Sequence, residues 1–364
     1  MNEERIIKRR ISYKAYAVVG LVLIASIAIY AEYPIFLNGG EPVINILTYP
    51  GLLSYGSNPN GTLKYVFSDF GAAHHVKIVV TNASGDLLTQ AIQGKNQYDI
   101  VIGLSNLDAY QAERSNIFYR FNVSNDSQIN SSLTQYMGSN VIKPYEYSFL
   151  TTDVNLSGPL NQSVVNNLTY QDLYNSTIGG QYIVENPIDI TGESFLLGQI
   201  GFYSGVLKQN WTTFWKSERN VKIVGDWTSG FDQFENGSRQ LFYSYITDPA
   251  YNAYYNYSRI ATVPFHYQGK EYAWMEVLGL GILASSEHKL IDEEFVNWFL
   301  GKNVQDLIPL NEWTYPANIQ ATIPAVFSNN PAPSDIIPLN DFLNLTYASQ
   351  HLTEWDLEWN QIVG

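Results

Sequence analysis

From about residue 43 onward, apolar and polar positions alternate in short blocks whose period changes from two to about 3.6 and back. "VINILTY" reads as a strand, and "GTLKYVFSDFGAAH" sets Leu63, Val66, Phe67 and Phe70 on one helical face. "VKIVVTN" is a second strand, and "GDLLTQAIQG" a helix closed by Gly94. "YDIVIGL" is an unbroken apolar run of the kind buried on both faces of a parallel sheet. This strand–helix order predicts a doubly wound α/β lobe, with a ligand at the carboxyl ends of its strands.

"IKPYEYSFLTTDVN" predicts a long strand leaving that lobe. "LTYQDLYNSTIGGQYIVENP" supplies a helix and a strand, and "SFLLGQIGFYSG" and "NWTTFWKSE" two helices. "VKIVG", "GFDQFENG" and "QLFYSYI" repeat strand–helix–strand, and "YAWMEVLGLGILA" is another apolar strand. Helices follow in "DEEFVNWFLG", "NVQDLIPL" and the amphipathic "NDFLNLTYASQHLTEWDLEWNQIV". The expected division is a first lobe of 42–146 plus about 265–364, and a second of about 147–264. One stretch escapes these periods: "SYITDPAYNAYYNYS" gathers five tyrosines around an expected Asp248-Pro249 turn.

The N-terminus changes the setting. A basic tail, 1–14, precedes an uncharged run from Ala15 to Ala31, and 15–37 together is long enough for a membrane anchor with the C-terminal part outside the cell. A cleaved signal segment is the competing reading, which would leave the body secreted. The body carries thirteen Asn-x-Ser/Thr sequons: Asn60, Asn82, Asn122, Asn125, Asn130, Asn155, Asn161, Asn167, Asn175, Asn210, Asn236, Asn256 and Asn344. That density suggests a glycoprotein. With no cysteine in the chain, it points to an archaeal outer surface. A net charge of −14 argues against nucleic acid as a partner.

The chain has no phosphate-binding loop, zinc-protease motif or nucleophile elbow, so it does not read as an enzyme, and no cofactor is implied. His74 and His75 read as a solvated pair, and Asp292, Glu293 and Glu294 as an acidic helix start.

Several segments, taken in order, resemble the thiamine-binding proteins of bacterial ABC importers, within the two-lobed extracytoplasmic solute-binding proteins. They are "LTYPGLLSYG", "GKNQYDIVIGLSN", "PYEYSFL", "NPIDITGESFLL", "VGDWTSGFDQFENG", "FYSYITDPAY", "MEV", "PLNEWTYP" and "EWDLEWNQ". The resemblance implies an α/β, two-lobed periplasmic-binding-protein-like (type II) fold with the ligand cleft between the lobes. It implies ligand contacts by Tyr49, Trp227, Tyr245, Tyr251 and Trp313, with Tyr315, Ser105, Asn106 and Glu276 at matching positions. Thr191 falls where such proteins offer hydroxyls to a phosphate. Pro50 and Glu193 depart from the family's pattern, and Glu193 would repel a phosphate, which favours plain thiamine. The implied partners are a membrane permease with its cytosolic ATPase, for a monomeric receptor.

The chemistry agrees with a cationic heterocycle, since indole and phenol faces attract a flat cation by about 0.5–2 kcal/mol per contact. Tyr245 and Tyr251 are then expected to present phenols to the cleft, while Tyr254, Tyr255 and Tyr257 pack or face solvent. Two alternatives stay open. The same fold binds ferric iron through a tyrosine pair, for which Tyr254-Tyr255 qualifies by sequence, and a glycosylated surface protein would need no ligand.

Overall fold

The computed structural model describes residues 41–363, apart from 125, 189, 218, 219, 258 and 259. The expected anchor at 15–37, the basic tail and the sequon at Asn125 lie outside the described residues. Among the described residues, no helix is long and apolar enough to cross a membrane.

The strands are β1 (Val43–Thr48), β2 (Lys77–Asn82), β3 (Ile100–Leu104), β4 (Ile142–Asn155), β5 (Tyr182–Glu185) and β6 (Lys222–Val224). They continue with β7 (Leu241–Tyr245), β8 (Ile260–Val263), β9 (Phe265–Tyr267), β10 (Lys270–Ile282), β11 (Tyr315–Pro316) and β12 (Ile336–Pro338). The main path runs β2-β1-β3-β10-β4-β7-β5-β6. β1 is parallel to β2 and β3, and β5 is parallel to β6 and β7. Two parallel triplets are thus joined by the antiparallel pair β4 and β10.

That joining pair spans both ends of the molecule. Its register runs from Trp274 opposite Leu150 to Gly281 opposite Ile142, with a shift between Leu278 and Gly279. Gly279 sits where a Cβ would meet Met137 Cε at 2.4 Å and Ile142 Cγ2 at 2.6 Å, so only glycine lets the strands pass this closely.

Buried apolar side chains fall into two large clusters. One gathers Ile44, Ile46, Phe67, Phe70, Ile100, Phe295 and Phe299 around the β1 triplet. The other gathers Tyr170, Tyr182, Phe195, Phe202, Phe214 and Tyr243 around the β5 triplet. A smaller cluster of Ile183, Val224, Phe234 and Phe242 lies against alternate positions of β5 and β7, as both-face burial of a parallel sheet requires. Trp355 and Trp359 of the closing helix, Leu345–Val363, belong to the second large cluster. The same helix also packs against helix Asn106–Ser115, which follows β3, so it touches elements that belong to both triplets.

Local chemistry explains other differences. The expected Asp248-Pro249 turn is the first turn of a helix, Asp248–Tyr255, because proline is pre-shaped for that position and its missing N–H leaves no bond unmade. Pro309 likewise opens a separate short helix, Ile308–Asn311, inside "NVQDLIPL". Several sequons have a local structural use. Asn130, Asn155, Asn161, Asn175 and Asn210 each accept a bond from the backbone N–H of the Ser or Thr two residues on, at 2.9–3.1 Å. This Asx geometry accounts for part of the sequon density without any glycan.

Candidate functional site

In the first triplet the chain leaves β1 for one neighbour and returns to the other, so a crevice opens at the carboxyl ends of β1 and β3. Tyr49 directly follows β1, and Ser105 follows β3 as the cap of helix Asn106–Ser115. The second triplet repeats this order about β5. Thr191 lies at the start of helix Ile190–Ile200 after β5, Trp227 opens helix Trp227–Glu235 after β6, and Tyr245 ends β7. The registers aim both crevices at one region. Leu104 pairs with Gly279 and Tyr245 with Leu150, so β3 and β7 both run toward the middle of the β4–β10 pair, where Glu276 is opposite Ser148.

One end of this region is acidic. Ser105 and Asp108 form a reciprocal capping box, at 3.0 and 3.1 Å, and Asn106 donates to the Met275 carbonyl at 3.5 Å. Burial pushes the Asp108 carboxyl up to about 6. The Glu193 carboxyl is held well above its ordinary range by burial, and then by Asp108, Asp356, Glu276 and Asp86. Of the residues chosen by sequence, Glu276 acts on Glu193 directly, Ser105 caps the Asp108 that also acts on it, and Thr191 lies two positions before it on the same helix.

The other end is aromatic. Tyr251 meets Trp313 edge-on at 5.1 Å between centroids, and Tyr254 and Tyr255 approach Trp313 at 5.4 and 5.8 Å. The carbonyl of Tyr55 takes bonds from Trp313 Nε1 and from the Tyr255 hydroxyl, both at 3.1 Å. Trp313 itself has φ +58°, a left-handed backbone unusual for a bulky residue and worth about 1–3 kcal/mol of strain. Tyr315 stacks on Tyr147 at 5.4 Å and meets Phe327 edge-on at 5.4 Å. A depression of about 470 Å³ adjoins it, walled by Phe327, Asn330 and Pro324, with no carboxylate in its lining.

Beneath the aromatic end lie two carboxyls that the sequence reading missed. Glu312 accepts from the Tyr49 hydroxyl at 3.0 Å and from the backbone N–H of Leu53. Glu146 accepts from the Thr314 hydroxyl at 2.7 Å, and burial pushes its carboxyl up to about 7. Burial and the neighbouring Glu146 hold Glu312 well above its usual range. Tyr49 rests its ring on Gly103, where φ is +108° and a Cβ would meet the ring at 2.3 Å. The available signal was an acid next to an aromatic, Glu146 between Tyr145 and Tyr147 and Glu312 before Trp313.

Trp227 stands apart from the other two expected cage members. Among the described residues its ring contacts are Phe231, stacked at 4.8 Å, and Phe242 at 6.2 Å, and its Nε1 donates to Ser244 at 2.9 Å. Tyr254 and Tyr255, weighed as iron ligands, pack edge-on to one another at 5.0 Å. The Tyr255 phenol is raised by burial, then by Tyr254 and Tyr257, the opposite of a poised phenolate.

The chain matches no protein-family model. It is 25% identical over 344 residues to the thiamine-binding periplasmic protein of Escherichia coli (strain K12), covering 91% of this chain and 95% of that protein. A solved periplasmic thiamin-binding protein superposes with TM-score 0.73 at 20% identity, over 91% of this chain and all of that one. The ferric binding protein from Campylobacter jejuni superposes with TM-score 0.69 at 11% identity, over 87% of this chain and 99% of that one. The fold is therefore that of the periplasmic binding proteins, and the sequence relative from Escherichia coli is named for thiamine binding.

Proposed function

We propose that this protein is an extracytoplasmic receptor that captures thiamine, or a closely similar flat cation, and delivers it to an ABC permease driven by a cytosolic ATPase. The observation that carries this reading is the convergence of both triplets' strand ends on one region, aromatic at one end and acidic at the other. Aromatic faces attract a cation through their quadrupole, and the carboxyls supply its countercharge. A bound cation would favour the ionised forms of Glu193 and Glu312, which burial and the neighbouring acids oppose, so countercharge develops as the ligand binds. The ligand-binding set of this reading is Tyr49, Ser105, Asn106, Thr191, Trp227, Tyr245, Tyr251, Glu276, Trp313 and Tyr315. The relatives named for thiamine support the choice of ligand.

The two large apolar clusters act in this reading as lobe cores that hinge about β4 and β10, in a monomer tethered by its N-terminal segment at the outer face of the cell membrane. The test is calorimetric titration of the purified protein with thiamine, thiamine monophosphate, choline and ferric citrate. Saturable one-to-one binding of thiamine, tighter than of choline, is expected. Ferric binding with a charge-transfer colour and no heat from thiamine would replace this reading with the iron one.

A further inference from the structure

We propose that Ser244 and Asp248 are positioning residues that lock the indole of Trp227 and couple it to the helix carrying Tyr251. This rests on the reading of Trp227 as part of an aromatic receptor site. The chain of bonds has only one possible direction. An indole N–H can only donate, so Trp227 Nε1 gives its proton to Ser244 Oγ at 2.9 Å. Ser244 must then donate its own proton onward, to Asp248 Oδ2 at 2.5 Å.

Two constraints together fix the ring. Stacking on Phe231, at 11° between planes, sets the plane of the indole. The bond to Ser244 sets its rotation within that plane. Ser244 is wholly buried on β7 and held in the ladder opposite Thr151, so it is a rigid anchor. Asp248 is buried in the first turn of helix Asp248–Tyr255, and three residues later Tyr251 meets Trp313. The relay therefore crosses from one aromatic-bearing helix to the other through a strand.

The surroundings make a merely structural role an expensive one. Asp153, wholly buried on β4, faces Asp248 and is held well above the ordinary carboxylate range by burial and by Asp248. Asp248 is pushed up to about 6 by burial, while the bond from Ser244 opposes that rise. The other charges that act on the pair, Glu235 and Glu185, are acidic as well. Burying two carboxyls against one another in such a place is destabilising, and apolar residues of similar volume would fill the space at lower free energy.

The test combines Ser244→Ala, Trp227→Phe and their double variant, with Asp248→Ala and Asp248→Asn as a second pair. In the unliganded protein, Ser244→Ala should remove most of the near-ultraviolet dichroism difference that Trp227→Phe defines. With thiamine, Ser244→Ala should weaken binding about 5- to 12-fold in the wild-type background, the loss of one bond's worth of preorganisation. In the Trp227→Phe background it should add less than about twofold. Asp248→Asn keeps an acceptor and should retain both signals, whereas Asp248→Ala should lose them, which carries the test if Ser244→Ala does not fold. An unchanged dichroism band, or equal losses in both backgrounds, overturns the relay. Absence of thiamine binding in the wild type overturns the receptor reading alone, because the dichroism arm needs no ligand.

Discussion

Tyr251 meets Trp313 with ring centroids 5.1 Å apart and planes at 90°, although the two side chains are 62 positions apart in the chain. Phe327 stacks on Trp313 at 6.2 Å and leaves it only 5% exposed, so the half-buried Tyr251 is the ring of the pair that a ligand reaches first while Trp313 braces it. Alanine at Trp313 or Tyr251 should therefore weaken thiamine binding by about 1–3 kcal/mol, and Tyr251→Phe should be milder. Calorimetry decides this, and unchanged affinity in Trp313→Ala would remove the aromatic end from the site.

Glu312 offers a contrast between stability and binding. Glu312→Gln keeps an amide oxygen for the Leu53 N–H and turns its NH2 toward the Tyr49 hydroxyl, which can accept, while it removes the like-charge repulsion with Glu146. The variant should melt at or above the wild-type temperature at pH 8, yet bind thiamine more weakly, because countercharge is lost. Loss of stability together with unchanged affinity would mean that Glu312 serves the fold alone.

Glu193 should set the preference between thiamine and its phosphates. Four acidic groups press on it, so a phosphate placed there would meet repulsion rather than donors. The wild type should prefer thiamine over thiamine monophosphate, and Glu193→Ser should narrow that preference by tenfold or so, about 1.4 kcal/mol. Competition titrations with both ligands measure it, and a preference for the monophosphate in the wild type would reverse the assignment.

Stability should fall as pH rises from about 4 to about 7. Asp108, Asp248, Asp292 and Asp356 are each pushed up to about 6, and Glu146 to about 7, with burial the largest cause every time. Over that window the folded chain holds protons that the unfolded chain has released, so each unit of pH favours unfolding. Glu113 and Asp306 are lowered and act in the opposite sense below the carboxylate range, but both are largely solvated. Melting temperatures across pH 4–8 should be highest near pH 4 and fall through pH 7, and a flat or rising profile from 5 to 8 would contradict the burial of these groups.

Closure about β4 and β10 should compact the molecule when ligand binds. The shift at Leu278–Gly279 is the natural place for the strand pair to flex. Small-angle scattering should show a smaller radius of gyration with saturating thiamine, and an unchanged radius in the presence of proven binding would exclude a hinge mechanism.

Strand β3 was legible in the sequence because burial on both faces demands an unbroken apolar run such as "IVIGL", and β1 was legible from its alternation. The long joining strands β4 and β10 were legible from their aromatic and β-branched residues. Helix Asp248–Tyr255 was not, since its tyrosines show no apolar stripe and Pro249 reads as a turn until a helix forms behind it. Nor did the sequence reveal that Glu146 and Glu312 come together, that Trp313 takes a left-handed backbone, or that Trp227 bonds to Ser244. Periodicity reports how each segment divides its own faces between core and water. Contacts between residues more than a hundred positions apart depend on strand order and register, and only the assembled sheet determines those.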